Sequence, residues 1–342
     1  MFRKRVLLVC VAFGLILAPA IFLCLQTLRR DKSDWLKSTA SYALQLRYPF
    51  TGFAWVTDES ILLTGTDGTN FDVQMINLKS GTTSEKEEVS KLMTQAQTLI
   101  TNAAVCWSVS RDGKEIAIAD FCQKPGADTV TIAPIDHSGT PRSYKLSGSR
   151  GPTFFFWFPQ TREWLRIEAE RMNPRATWSA GDSTRSAVLP IKGAYPLGFT
   201  STNMLLFIDE VSIDGQTDVA LEDLQLQPPL VSRRWIVRLP FRACIEMAEL
   251  SPGGSQVLWK LADPDSLRND RPIDQLMHRM GFDKKWQGTL WISGTDGSGF
   301  RNLGDLPSDQ ALGNTVRWSP DGRQICTSIN GRIYVIPLDH QH

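Results

Sequence analysis

Histidine is scarce in this sequence: His137, His278, His340 and His342 are the only four among 342 residues. His137 and His340 each follow an aspartate, in the turns DHSG and DHQH. Two turns on separate repeats do not converge as a tetrahedral metal site requires. The HExxH, CxxC, phosphate-loop and nucleophile-elbow patterns are also missing, which removes the usual sequence signs of zinc, thiol-redox, nucleotide and serine-hydrolase chemistry. No cofactor or metal is expected. Neither charge sign dominates: 37 Lys and Arg stand against 36 Asp and Glu, a net charge of +1, so there is no basic footprint for nucleic acid.

Cysteine is sparse as well. Cys106, Cys122, Cys244 and Cys326 lie in or beside predicted strands and read as small buried thiols. Across a hairpin centred on Asp112-Gly113, Cys106 faces a position near Ala119 instead of Cys122, so a neat cross-strand disulfide is not expected.

Long runs that are both uncharged and strongly apolar are limited to one. Between Arg5 and Arg29 lie 23 residues, VLLVCVAFGLILAPAIFLCLQTL. At about 1.5 Å per residue, such a helix spans a hydrocarbon core of roughly 30 Å. The run reads as a retained signal anchor or as a signal peptide cleaved near Ala18-Pro19-Ala20. Basic residues flank both ends and do not set the orientation, but a long domain can translocate regardless of them. The expected organisation is a basic tail at 1–5, a membrane span at 6–28, a linker at 29–41 and one domain at 42–342, on the extracytoplasmic side.

What the sequence does contain is repetition. In VRWSPDGRQICTSINGRIYVIPLD, Val316 to Asp339, an aromatic strand meets the turn Pro320-Asp321-Gly322-Arg323, and an alternating strand follows. Asn330-Gly331 supplies a second hairpin turn. The same grammar recurs upstream at Trp55, Trp107, Trp157, Phe199 and Leu250, so the intervals are 52, 50, 42, 51 and 68 residues. A strand-rich period near 50 indicates a propeller. The expected fold is all-β, a six-bladed β-propeller of four-stranded antiparallel blades preceded by one N-terminal transmembrane helix. The tryptophans in repeat position read as blade-to-blade packing. The last blade lacks an outer strand, and Tyr42–Tyr48 is expected to supply it and close the ring.

The stretch WSPDGR, followed by an apolar strand and a short strand ending in Leu-Asp, resembles the repeat of the TolB-like β-propellers, relatives in architecture of the WD-repeat proteins. The resemblance covers roughly residues 42 to 342. It implies a propeller with a habit of binding proteins or ligands, and no particular activity.

Function is expected where the repeat breaks. The long last interval contains DPDSLRNDRPIDQLMHRMGFDKKWQ, where Ile273, Leu276, Met277 and Met280 recur at helical spacing. The stretches DFCQKPGADT, EAERMNPRA and DEVSIDGQTD also join second to third strands, and in a propeller all such connections emerge on one face. Loops on a rigid scaffold carry function, so Asp120, Lys124, Glu168, Arg171, Asp209, Glu210, Arg271, His278 and Trp286 are the candidate partner-binding residues. Their mixed charge suits a protein or peptide partner. The expected role is a membrane-anchored, non-catalytic scaffold for a protein, peptide or envelope component. The alternative is a lyase- or hydrolase-type propeller enzyme with its site at the central channel.

Overall fold

The computed structural model describes residues 36, 39–98, 106–120, 129–136, 138–145, 153–158, 161, 163–168, 174–180, 183–190, 195–200, 202, 204–213, 216–226, 229–240, 243–262, 288–306, 315–329 and 331–338. The proposed span at 6–28 and the basic tail lie outside them. No helix among the described residues is long and apolar enough to cross a membrane.

Strand β1 (Ala40–Ala43) opens the described fold. Blade 1 holds β2 (Phe50–Thr57), β3 (Ser60–Thr66), β4 (Phe71–Asn77) and β5 (Thr83–Glu85). Helix α1 (Glu87–Thr98) leads to blade 2, with β6 (Cys106–Val109), β7 (Glu115–Asp120), β8 (Thr129–Pro134) and β9 (Arg142–Lys145). Blade 3 is β10 (Thr153–Trp157), β11 (Trp164–Glu168), β12 (Arg175–Ala180) and β13 (Ser183–Val188). Blade 4 is β14 (Tyr195–Phe199), β15 (Leu205–Ile213), β16 (Gln216–Leu226) and β17 (Pro229–Arg238). Blade 5 is β18 (Cys244–Leu250), β19 (Gln256–Ala262), β20 (Gly288–Gly294) and β21 (Arg301–Asp305). Blade 6 is β22 (Val316–Trp318), β23 (Gln324–Ile329) and β24 (Arg332–Pro337), completed by β1 beside β24. The six-bladed, four-stranded antiparallel propeller expected from the repeats is the observed architecture.

Burial peaks at the second strand of each blade and falls toward the outer edge. Second strands are covered on both faces by neighbouring blades, so β11 is buried at all five positions and β3 at six of seven. Outer strands meet water: every residue of β5 is exposed. Six apolar clusters result among the described residues, one at each blade-to-blade contact. Phe199 and Phe207 meet Leu165 and Ile167 between blades 3 and 4, for example, and Trp318 and Ile325 meet Leu258 and Ile292 between blades 5 and 6. Each such large side chain contributes about 1.5–3 kcal/mol when fully buried.

The recurring turn has a hydrogen-bond logic. In blade 6, Ser319 Oγ donates to Asp321 Oδ1 (2.6 Å) and accepts from Gln324 N–H (3.0 Å), while Gly322 takes φ 72°. Blade 2 repeats it with Ser110, Asp112 and Gly113. Cys106 pairs with Ala119, as the register across that turn requires. Cys326 is a buried free thiol. Two of the anchor tryptophans also bond between blades. The Trp318 indole N–H donates to the Glu249 carbonyl at 3.3 Å, and that of Trp55 to the Arg317 carbonyl at 3.2 Å.

The closing strand is shifted from its expected place at Tyr42–Tyr48. β1 pairs Ala40 with Val335 and Ala43 with Arg332. β24 begins only at Arg332, after the Gly331 turn, so the chain beyond Ala43 has no strand to pair with. Leu44 and Leu46 pack instead into the seam between blades 6 and 1. There the Tyr42 hydroxyl donates to the Leu78 carbonyl at 2.7 Å, and Asp321 N–H donates to Asp58 Oδ1 at 2.9 Å. The first and last described strands thus share a blade, and the seam is bonded as well as packed.

Candidate functional site

Two regions stand apart from the repeat. One face carries the second-to-third strand connections and the blade-to-blade links; the opposite face carries the tight turns. On the connecting face, α1 takes over part of an outer strand's work. β5 pairs only with Gln74–Ile76, and the N–H groups of Phe71 and Val73 donate instead to Thr94 Oγ1 and Ser90 Oγ on α1, at 2.9 and 3.0 Å. Val89 and Met93 are fully buried beneath it. Sequence reading missed this helix, although Val89, Leu92, Met93 and Ala96 show its spacing.

The stretch DEVSIDGQTD is not a loop. β15 and β16 stay paired out to Ile213 and Gln216, and β17 follows them to Arg238 opposite Asp218. β15, β16 and β17 have 9, 11 and 10 residues, longer than other strands of their rank, so blade 4 is extended on the connecting face. The charged letters hid an alternation in which Val211, Ile213 and Val219 are strand residues. Asp209 and Glu210 are therefore strand positions. Arg234 Nε lies 3.4 Å from Glu222 Oε1, and its Nη2 lies 4.0 Å from Asp209 Oδ2. Burial pushes the Glu222 carboxyl up, with Arg234 pulling it back and Asp209 pushing it further.

The other candidates separate. Glu168 ends β11 and is not a solvated loop residue: it is buried, with Oε1 3.0 Å from Arg166 Nη2, because second strands are covered on both faces. Asp120 is the last residue of β7. Lys124, Arg171, Arg271, His278 and Trp286 lie outside the described residues, as do the remaining histidines. Among the described residues no cluster of three or more His, Cys, Asp or Glu side chains is placed to hold a metal.

The second region is the central channel. The inner strands β2, β6, β10, β14, β18 and β22 enclose a cavity of about 640 Å³. Its wall is largely aromatic and aliphatic, with Phe154 packed edge-on against Tyr195 at 4.5 Å. Three charged residues line it: Arg111, from the turn of blade 2, and the facing pair Glu249 and Arg317. Glu249 on β18 accepts the Trp318 N–H at Oε2 (3.2 Å), and its Oε1 lies 3.5 Å from Arg317 Nη1 on β22. Burial pushes the Glu249 carboxyl up to about 7 against the pull of Arg317 and of the Trp318 N–H. Burial also raises the Tyr195 phenol, which Arg317 partly offsets. Burial raises the neighbouring Cys326 thiol well above its ordinary range, and the Glu249 charge adds to the rise.

Sequence reasoning missed this pair, yet a signal was present. The residue just before each repeat anchor is Ala54, Cys106, Phe156, Gly198, Glu249 or Arg317. Four blades leave that position uncharged, and two adjacent blades fill it with opposite charges.

No protein-family description and no curated protein matches the sequence. Solved structures do match in fold. A putative TolB from Agrobacterium tumefaciens is 17% identical with a TM-score of 0.49, over 87% of this chain and 96% of that one. A TolB from Acinetobacter baumannii is 14% identical with a TM-score of 0.49, over 77% of this chain but only 56% of its own length. Hydrazine synthase from Kuenenia stuttgartiensis is 12% identical with a TM-score of 0.49, over 87% and 78%. In fold, the chain is a six-bladed β-propeller similar to those of the TolB structures.

Proposed function

We propose that the protein is a non-catalytic propeller tethered to a membrane by residues 6–28, on the extracytoplasmic side, and that it binds a protein, peptide or envelope component through its connecting face. The observation that carries this reading is the direction of β1. Ala40 pairs with Val335, near the end of β24 that borders the tight turns, and Leu36 shares a buried cluster with Ile336 and Leu338. The chain therefore arrives on the turn face. A tether ahead of it leaves the connecting face, with the extended hairpin of blade 4, pointing away from the bilayer. The mixed charges of Asp209 and Arg234 fit a protein or peptide surface better than a polyanion.

An affinity pull-down tests the reading with residues 33–342, the same chain with 264–286 replaced by a short Gly/Ser turn, and a form with the β15–β16 hairpin shortened. The expected outcome is that partners captured by the first are lost from at least one of the others. The same partners from all three would contradict it.

One observation favours the second reading, an enzyme at the central channel. Glu249 is poised near neutrality inside a cavity, as acid–base groups are. Among the described channel residues the Tyr195 phenol, itself pushed upward by burial, is the other group of that kind.

A further inference from the structure

The Glu249–Arg317 pair is poorly suited to being a structural ion pair. Its single contact of 3.5 Å is longer than the roughly 2.7–2.9 Å of a charge-assisted hydrogen bond, and it engages one guanidinium nitrogen. The guanidinium is not sealed away: Arg317 is 41% exposed, while Glu249, at 23%, is mostly buried. The blades do not depend on the Arg317 side chain for their inter-blade bond, because Trp55 is held by the Arg317 backbone carbonyl. A cationic side chain with spare donors thus reaches an open-mouthed channel space of about 640 Å³, within the roughly 300–1,000 Å³ of small-molecule sites. Tyr195 lies in the field of Arg317 and forms with Phe154 an aromatic corner on the same wall.

We propose that the channel binds a planar apolar monoanion of the aromatic carboxylate class, with its acid group on Arg317 in place of Glu249 and its body against Tyr195 and Phe154. Glu249 is then a built-in competitor. Ionised, it occupies Arg317; protonated, it releases the guanidinium to the ligand. The groups facing it are Arg317 and the Trp318 N–H on β22, the Cys326 thiol on β23 and, through Arg317, the Tyr195 phenol on β14. Thiol and phenol are both shifted upward, so the carboxyl near 7 is the member of this set that changes charge between pH 6 and 8. Binding should strengthen as pH falls through that window. The site is independent of the connecting face, so either proposal can fail alone.

Calorimetric titration of the full-length protein with 2-naphthoate and its neutral counterpart 2-naphthamide tests the proposal. At pH 6 the carboxylate should bind roughly tenfold more tightly than the amide, the worth of one charge-assisted bond. That advantage should shrink by roughly tenfold at pH 8, as the fraction of protein with a free Arg317 falls. Arg317→Met should erase the preference. Glu249→Gln should keep it at both pH values, and this second variant decides the matter if the first does not fold. Equal affinity for the two compounds, a preference that survives Arg317→Met, or an unchanged pH dependence in Glu249→Gln would overturn the proposal.

Discussion

Alanine at Gly113 should destabilise the propeller by about 3 kcal/mol or more, whereas alanine at Gly322 should cost about 1 kcal/mol. The two glycines hold the same place in equivalent turns and nearly the same backbone, φ 68° and 72°. The left-handed conformation therefore penalises both alike. Their surroundings differ. A Cβ on Gly113 would overlap the Val56 carbonyl oxygen of blade 1, backbone that cannot step aside, while a Cβ on Gly322 would meet only Pro252 Cδ at 3.8 Å. The excess at Gly113 thus measures how tightly the turn of blade 2 is seated on blade 1. Urea unfolding of both variants beside the parent protein reads the difference, and equal costs would mean that this seating is looser than described.

Glu249→Gln should stabilise the protein at pH 8 by about 2–3 kcal/mol and leave it within about 0.5 kcal/mol of the parent at pH 4.5. Burial raises the carboxyl from its ordinary 4.5 to about 7. Between those values the folded protein holds a proton that the unfolded chain has released, so stability falls as pH rises through the window. Above 7 both states are ionised and the full cost persists. Glutamine stays neutral and can still accept the Trp318 N–H. Parallel stability curves for the two proteins from pH 4.5 to 8 would show that the carboxyl is not raised in the fold.

The two variants also mark what was legible in the sequence. The anchors at Trp55, Trp107, Trp157, Phe199, Leu250 and Trp318 all fall in inner strands, because each blade must present the same bulk at the same place to its neighbour. Turn chemistry was equally readable, since Ser319-Pro320-Asp321-Gly322 bonds to itself. Long-range relations were not. The boundary of β1 depends on where β24 begins, some 290 residues away, and the burial of Glu168 depends on the blades on either side. Glu249 and Arg317 are separated by 68 residues and meet only because neighbouring blades align their inner strands. Polar residues in DEVSIDGQTD read as a loop, yet a strand that outgrows its neighbours needs no continuous apolar run.

The tether on one face and binding on the other form the central claim, and site-specific photo-crosslinking in native membranes tests it most directly. Ile236, exposed near the connecting end of β17, and Lys79, exposed in the β4–β5 turn on the opposite face, are each replaced by a photoreactive phenylalanine. Discrete protein adducts from position 236 and lipid adducts from position 79 are the predicted result. Lipid adducts from 236, with discrete protein adducts from 79, would contradict it.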